Sequence, residues 1–208
     1  MRSVNFQQAK FFITVNEWKG LPQDNIIEVA FAGRSNAGKS SAINCLTQQR
    51  KLAFTSKTPG RTQHINYFSL GDECFLVDLP GYGYAEVPLS VKLHWQKLLS
   101  DYLTYRESLQ ALVVLMDIRH PLTNLDRQLL EWFEPTGKPL LILLTKADKL
   151  GRGGQTKVLH EMKNELKSLK LPYQVVPFSS HTRQGFDEVT EILHSFFKKD
   201  NQIKELDE

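Results

Sequence analysis

The chain has 208 residues, of which 41% are hydrophobic and 24% are charged, and its formal net charge at pH 7 is +3. These values are typical of one globular domain, and the small basic excess permits a nucleic-acid partner without arguing strongly for one. The two cysteines, Cys45 and Cys74, do not have metal-ligand spacing, and they favour inert thiols in a reducing compartment over a disulfide framework. Apolar runs too short to span a membrane and an N-terminus unlike a signal peptide favour a cytoplasmic protein with no membrane partner.

Short apolar runs alternate with helical patterns along the chain. We predict strands at residues 26–32, 64–70, 74–78, 111–117, 140–145 and 173–178, and helices at 39–48, 91–105, 124–133, 157–169 and 186–198. Several strands are apolar throughout, as strands buried on both faces are, whereas Gly71-Asp72 predicts a hairpin between the second and third. The fold class is therefore α/β, with a mainly parallel six-stranded sheet, one antiparallel strand and helices on both faces.

The chain ends are interpreted separately from this sheet. Residues 1–23 are expected to be an N-terminal extension packing on the main domain at 24–199, with a C-terminal tail at 200–208. Residues 1–20 and the tail are interpreted as peripheral, and the glycine-rich residues 151–154 as a flexible loop.

A phosphate-binding motif follows the first predicted strand and opens the first predicted helix. In Gly33-x-x-x-x-Gly38-Lys39-Ser40 the glycines let backbone N–H groups point at phosphate oxygens, and the helix adds its positive end. Lys39 would reach the β- and γ-phosphates, and the Ser40 hydroxyl would ligate Mg²⁺, as in a P-loop NTPase. A glycine turn that binds nothing is the competing interpretation. The predicted phosphate-binding residues are Gly33, Arg34, Ser35, Asn36, Ala37, Gly38, Lys39, Ser40 and Ser41.

Three later strand ends carry the remaining motifs. The first has Asp78, predicted to hold Mg²⁺ through water, and Gly81, whose amide would sense the γ-phosphate. The next has Asp148, whose carboxylate can accept guanine N1–H and N2–H₂, which adenine cannot offer, and Lys146, whose stem can lie on the base. The last places a loop where a backbone N–H can reach guanine O6. The full strings are Asp78-Leu79-Pro80-Gly81, Thr145-Lys146-Ala147-Asp148 and Phe178-Ser179-Ser180.

The long loop at residues 50–64 has no acidic residue and contains two threonines. A threonine here can complete Mg²⁺ coordination when the γ-phosphate is present, and we choose Thr62 because it lies just before a strand, with Thr58 as the competitor. The neighbouring residues counted with the nucleotide site are Gly60, Arg61, Gln63 and His64.

These motifs occur in the order of translation-factor-like GTPases, and four longer strings resemble the EngB (YihA/YsxC) family of bacterial GTPases. The strings are GRSNAGKSS at 33–41, TPGRTQ at 58–63, DLPGYGYA at 78–85 and TKAD at 145–148, and the resemblance covers residues 5–199. It implies a G domain at 24–199 that binds GTP or GDP with Mg²⁺. It further implies a role in large ribosomal subunit assembly, with that subunit or its precursor as partner, and in cell division and septation. The string Ser179-Ser180-His181 departs from the lysine-rich stretch more usual there. We expect a monomer.

Hydrolysis is expected to be slow. Ras-like enzymes place a water-orienting glutamine after the D-x-x-G glycine, and Tyr82 stands there instead. The predicted catalytic residues are Lys39 and Thr62. Arg61 could supply charge in cis, although a solvated or RNA-contacting side chain is the stronger interpretation. Asn36 resembles the asparagine of GTPases that hold K⁺ beside the phosphates, against the alternative that it only bonds the loop backbone.

Two functions of different classes stay open. The first is a GTP-hydrolysing switch in ribosome assembly, and the second is a nucleotide-gated rRNA- or ribosome-binding module whose hydrolysis is incidental. The cations Arg50, Lys51, Lys57 and Arg61 of the 50–64 loop fit rRNA phosphates or a solvated face equally well. An ATP-using P-loop kinase is disfavoured by the guanine-type string at 145–148.

Overall fold

The fold was analysed in a computed structural model that describes residues 4–23, 25–53, 64–83 and 89–198. One sheet has seven strands in the order β1-β3-β4-β2-β5-β6-β7. β3 runs antiparallel to β1 and β4, and the pairs formed by β2, β4, β5, β6 and β7 are parallel. The mainly parallel sheet with one antiparallel strand is therefore confirmed. The strands are β1 Lys10–Val15, β2 Ile27–Gly33, β3 Ile65–Ser69, β4 Cys74–Asp78, β5 Leu109–Asp117, β6 Leu140–Thr145 and β7 Tyr173–Pro177.

Helices cover both faces of the sheet and enclose two apolar cores. One core contains side chains of α2, α3 and α4, and the other contains those of α1 and α5. Strands β4 and β6 are buried along their whole length, as their apolar sequences predict. The helices are α1 Lys39–Leu46, α2 Leu89–Tyr105, α3 Asn124–Phe133, α4 Arg152–Glu165 and α5 Phe186–Phe196.

The prediction of six strands was wrong because it omitted β1. Residues Lys10–Val15 pair with β3 at the edge of the sheet, with a register irregularity between Phe11 and Ile13. The sequence KFFITV is rich in the aromatic and β-branched residues that favour strands, so a signal was present, but the segment does not alternate apolar with polar residues, and five of its six residues are exposed. The segment interpreted as peripheral thus adds a strand to the sheet.

The interpretation of residues 151–154 as a loop was also wrong. Gly151 caps α4, and Arg152, Gly153 and Gly154 form its first turn. The first N–H groups of a helix need no partner within it, so weak helix formers are tolerated there more readily than in the helix interior.

A buried charge cluster lies at the end of β2 opposite the phosphate motif. The Glu28 carboxylate is 0% exposed, and it accepts hydrogen bonds from Arg106 Nε at 2.9 Å and from the hydroxyls of Tyr67 at 3.2 Å and Tyr102 at 2.5 Å. Arg106 also donates to the Pro22 carbonyl at 2.8 Å. Because a buried carboxylate is costly without partners, these bonds hold β3, the end of α2 and the N-terminal segment against β2.

Candidate nucleotide-binding site

The phosphate motif lies between β2 and α1, at the edge where the parallel strands end. A Cβ on Gly33 would lie 2.9 Å from the Leu115 carbonyl oxygen, so no side chain fits there. Gly38 caps α1 with φ of 92°, a left-handed conformation that glycine adopts without strain. The two glycines of the motif are therefore required by the path of the backbone, which turns back directly onto the helix N-terminus.

Two side chains from the end of β6 hold this loop. The Thr145 hydroxyl donates to the Ala37 carbonyl at 2.6 Å, and Lys146 Nζ donates to the Asn36 carbonyl at 2.9 Å. Lys146 Nζ also lies 3.0 Å from Asp117 Oδ2 at the end of β5. The predicted base-binding string and the predicted phosphate loop are therefore joined by direct hydrogen bonds, although 108 residues separate Ala37 from Thr145.

Lys39 and Asp78 form a buried ion pair at the centre of the site. The Lys39 ammonium contacts Asp78 Oδ1, and the two residues are 9% and 2% exposed. Ser40 lies beside Lys39 in the first turn of α1 and is half-buried, whereas Ser41 is exposed. Each member of the pair can bind a ligand of opposite charge: the ammonium can bind phosphate, and the carboxylate can bind a hydrated cation.

The D-x-x-G segment continues β4 alongside the phosphate loop. Leu79 N donates to the Phe31 carbonyl at 2.9 Å, Tyr82 N donates to the Gly33 carbonyl at 3.3 Å, and Ser35 N donates to the Tyr82 carbonyl at 3.0 Å. Leu79 and Pro80 are buried, and a Cβ on Gly81 would lie 3.3 Å from Ser35 Oγ. The Gly81 backbone therefore lies directly against the phosphate loop at Ser35.

The Tyr82 side chain is directed toward α3 by a carboxylate that the sequence analysis missed. Its hydroxyl donates to Asp126 Oδ1 at 2.8 Å, and Asp126 Oδ2 accepts from Thr123 N at 2.8 Å and Thr123 Oγ1 at 2.7 Å. Arg34 Nε lies 3.7 Å from the same carboxylate. Burial first, and then the Asp126 charge, raise the pKa of Tyr82 well above its ordinary value. The capping box at residues 123–126 is a local signal for Asp126, but not for its bond to Tyr82.

The two predicted base-binding loops are joined by a side chain. Ser179 Oγ donates to Asp148 Oδ1 at 2.6 Å and accepts from the backbone N–H groups of His181 and Thr182, each at 3.2 Å. This bond is the main cause of the lowered pKa of Asp148, so the carboxylate stays ionised as an acceptor. Phe178 and Ser179 are 0% exposed and Ser180 is half-buried, which positions the end of β7 beside Asp148.

A second missed acid stabilises this corner. Asp117, at the end of β5, accepts from Arg119 Nε at 2.9 Å and Arg119 Nη2 at 2.6 Å as well as lying beside Lys146. The Arg119 hydrogen bond is the main cause of a pKa of Asp117 well below its usual range. An acid at the carboxyl end of a buried parallel strand was the available signal.

Five predicted residues of the site precede β3. Gly60, Arg61, Thr62 and Gln63 lie outside the described residues, and His64 stands directly before β3. Among the residues that the structure describes, no group of three or more His, Cys, Asp or Glu side chains could hold a metal ion. A Mg²⁺ ion shared among one carboxylate, hydroxyls, phosphate oxygens and water needs no such group. Within the same ranges, no helix is long and apolar enough to cross a bilayer.

Comparison with known families and relatives points to one kind of protein. A family model described as "50S ribosome-binding GTPase" matches residues 28–146. A probable GTP-binding protein EngB from Nitrosomonas eutropha is 56% identical over 192 residues, which cover 92% of this chain and 86% of that protein. A protein of the same name from Neisseria gonorrhoeae is 55% identical over 194 residues, covering 92% of each.

Solved structures share the fold at low sequence identity. A probable GTP-binding protein EngB superimposes with a TM-score of 0.64 at 19% identity, covering 81% of this chain and 97% of that one. Era in complex with MgGDPNP and nucleotides 1506–1542 of 16S ribosomal RNA superimposes with a TM-score of 0.65 at 20% identity, covering 82% and 56%. At such identities the similarity establishes the architecture alone.

Proposed function

Since the chain belongs to the EngB family of GTP-binding proteins within the P-loop GTPases, we propose that it is a slowly hydrolysing GTP switch in the assembly of the large ribosomal subunit. Normal cell division and septation would depend on that role. One observation carries the proposal: the phosphate loop, the Asp78–Gly81 segment and the Asp148–Ser179 pair lie together at one edge of the sheet. The first two would sense the γ-phosphate, and the third would select guanine.

The Lys39–Asp78 ion pair supports a site for a nucleotide with Mg²⁺. Phosphate oxygens would replace Asp78 as the anionic partner of Lys39. The Mg²⁺ ion would supply neutralisation of the phosphate charge when bound, and Asp78 would hold it through water. Neither buried charge would then be left without a partner. Ser40 and Thr62 are the proposed hydroxyl ligands of the ion.

The orientation of Tyr82 supports slow hydrolysis. Its hydroxyl donates its single proton to Asp126, so it is not free to orient water at the γ-phosphate. This observation also favours the second candidate function, a nucleotide-gated ribosome-binding module whose hydrolysis is incidental. A potassium ion beside Asn36 is the proposed source of additional charge. Asn36 has φ of 66°, a left-handed conformation that asparagine tolerates better than most residues. This conformation also supports the alternative that Asn36 serves only the backbone of the phosphate loop.

The large ribosomal subunit or its precursor is the proposed partner, which would place the protein in the cytoplasm. The support is the description of the matching family model and the complex of Era with a 16S rRNA fragment. The cations of the 50–64 loop would contact rRNA phosphates when Thr62 of the same loop binds Mg²⁺, which would make ribosome binding depend on the nucleotide.

Cosedimentation with isolated large-subunit particles tests the proposal. Binding should be stronger with a non-hydrolysable GTP analogue than with GDP, and Lys57→Ala with Arg61→Ala should flatten the salt dependence by about one unit of slope per lost phosphate contact. The control with the same charge change is Lys157→Ala with Lys163→Ala, two cations of α4. A cosedimented fraction that changes with neither the nucleotide nor the particle concentration would refute the proposal.

A turnover assay separates the two candidate functions. Acceleration of GTP hydrolysis by the particles indicates the hydrolysing switch. Nucleotide-dependent binding without any acceleration indicates the binding module.

A further inference from the structure

Two glutamines outside every recognised motif join the loops that carry Asp148 and Ser179. Gln155 lies in the first turns of α4, and Gln184 lies in the turn that precedes α5. Gln155 Nε2 is 2.8 Å from the Ala147 carbonyl oxygen and 3.0 Å from the Leu150 carbonyl oxygen. Those carbonyls flank Asp148 on both sides, because the 3₁₀ turn Ala147–Lys149 contains it.

The orientation of the Gln155 amide follows from these contacts. Carbonyl oxygens only accept, so the amide nitrogen must face Ala147 and Leu150, and Oε1 must face the other way. There it accepts from Gln184 Nε2 at 2.7 Å. The backbone carbonyl of Gln184 in turn accepts from Ser179 N at 3.1 Å.

These bonds close a ring. From Asp148 the path runs through Ser179 Oγ, the Ser179 backbone, Gln184 and Gln155 back to the turn that contains Asp148. On the inner side the two loops share a backbone bond from Ala147 N to the Phe178 carbonyl at 3.1 Å. The glutamine pair is the corresponding link on the outer side, and it resists rotation of the Asp148 turn about that inner bond.

We propose that Gln155 and Gln184 are positioning residues for guanine selection, which act by fixing the Asp148 carboxylate relative to the base. The inference rests on the proposed role of Asp148. Two hydrogen bonds to guanine N1–H and N2–H₂ require both carboxylate oxygens in the plane of the base, whereas inosine offers only N1–H. Loosening the turn should therefore lower the affinity for guanine nucleotides more than the affinity for hypoxanthine nucleotides. A carboxylate that is free to rotate accepts from one donor more easily than from two.

The test measures GDP dissociation and the preference for GDP over IDP by competition with a fluorescent GDP analogue. Gln155→Ala and Gln184→Ala should each speed GDP release and reduce the preference for GDP by about five- to tenfold, the cost of one or two neutral hydrogen bonds. Gln155→Ala should have the larger effect, because it also removes the bonds to the Ala147 and Leu150 carbonyls. The double variant should be little worse than Gln155→Ala, because that change already breaks the link to Gln184. Gln155→Glu should speed GDP release and reduce the preference for GDP more than Gln155→Ala does, because it turns an acceptor toward two carbonyl oxygens.

Two controls match the changes. Gln174→Ala removes an exposed glutamine of β7, and Thr156→Ala truncates the neighbour of Gln155 whose hydroxyl bonds only within α4. Both should leave release and base preference unchanged. Thermal unfolding is measured for all variants, since a purely structural role would lower stability without changing the ratio of GDP to IDP affinity.

The outcomes separate this inference from the proposed function. A wild-type protein without preference for GDP over IDP would overturn the assignment of Asp148 itself. A wild-type preference that both alanine variants retain, or that they reduce independently and additively, would overturn only the role of the glutamine pair.

Discussion

Replacing Tyr82 by phenylalanine tests whether its hydroxyl acts in hydrolysis or in holding the D-x-x-G segment. The substitution removes one donor, at 2.8 Å, from a carboxylate that is 0% exposed, while Asp126 Oδ2 keeps its two bonds from Thr123. Hydrogen bonds to charged groups contribute about 1.5–3 kcal/mol, so we expect the free energy of unfolding to fall by about 2 kcal/mol. For a chain of this size that lowers Tm by about 4–8 °C.

Hydrolysis should respond differently. Loss of a group that transfers or orients a proton at the reacting centre slows chemistry by about 100-fold or more. We expect the single-turnover rate of Tyr82→Phe to stay within about twofold of the wild type, because the hydroxyl is bonded to Asp126. Unfolding is measured by heat at one fixed nucleotide concentration, since bound nucleotide adds stability of its own.

Controls and pH complete the test. Tyr105→Phe removes the hydroxyl of an exposed tyrosine and should change neither quantity. A double-mutant cycle with Asp126→Asn should give a coupling energy of about 1–2 kcal/mol. Because the folded-state pKa of Tyr82 is raised, the coupling should be constant at neutral pH and decline only above ~10, the pKa of an exposed tyrosine. An unchanged Tm with hydrolysis slowed about 100-fold would refute the reasoning and assign the hydroxyl to the chemistry.

Three further predictions concern the base, the ion and the buried cluster. Asp148→Asn should weaken GTP binding by about 2–3 kcal/mol and favour xanthosine nucleotides, as measured by competition, and an unchanged GTP preference would contradict the assignment. Hydrolysis with large-subunit particles should be faster in K⁺ than in Na⁺ at equal ionic strength, and Asn36→Gly, which keeps the left-handed backbone, should abolish the difference; equal rates in the wild type would remove the ion site. Arg106→Met should cost about 3–5 kcal/mol in urea unfolding because it leaves Glu28 buried without its cation, and a cost below about 1 kcal/mol would show that the two tyrosines suffice.

Local patterns allowed the sequence to predict much of the fold and several site residues. Buried parallel strands are apolar throughout, and an apolar run can be recognised in the sequence without knowing which strands lie beside it in the sheet. The motif spacing alone identified the two glycines of the phosphate loop, although the left-handed conformation of Gly38 is local and the close contact of Gly33 with the Leu115 carbonyl oxygen is tertiary. The edge strand β1 was missed although its sequence KFFITV favours a strand, because only the pairing with β3 shows that this N-terminal segment belongs to the sheet.

What joins the motifs to one another was decided only by the tertiary structure. Tyr82 and Asp126 are 44 residues apart, and Glu28 and Arg106 are 78 apart. The sequence alone identifies Asp148 as a candidate base-reading acid, since an acid at a strand end is a local feature. It does not identify Gln155 and Gln184, because a glutamine amide acquires a role only when a backbone carbonyl or another amide is brought within hydrogen-bond distance. Residue type and spacing thus determine which chemistry is present, whereas the packing of distant segments determines which group each side chain contacts.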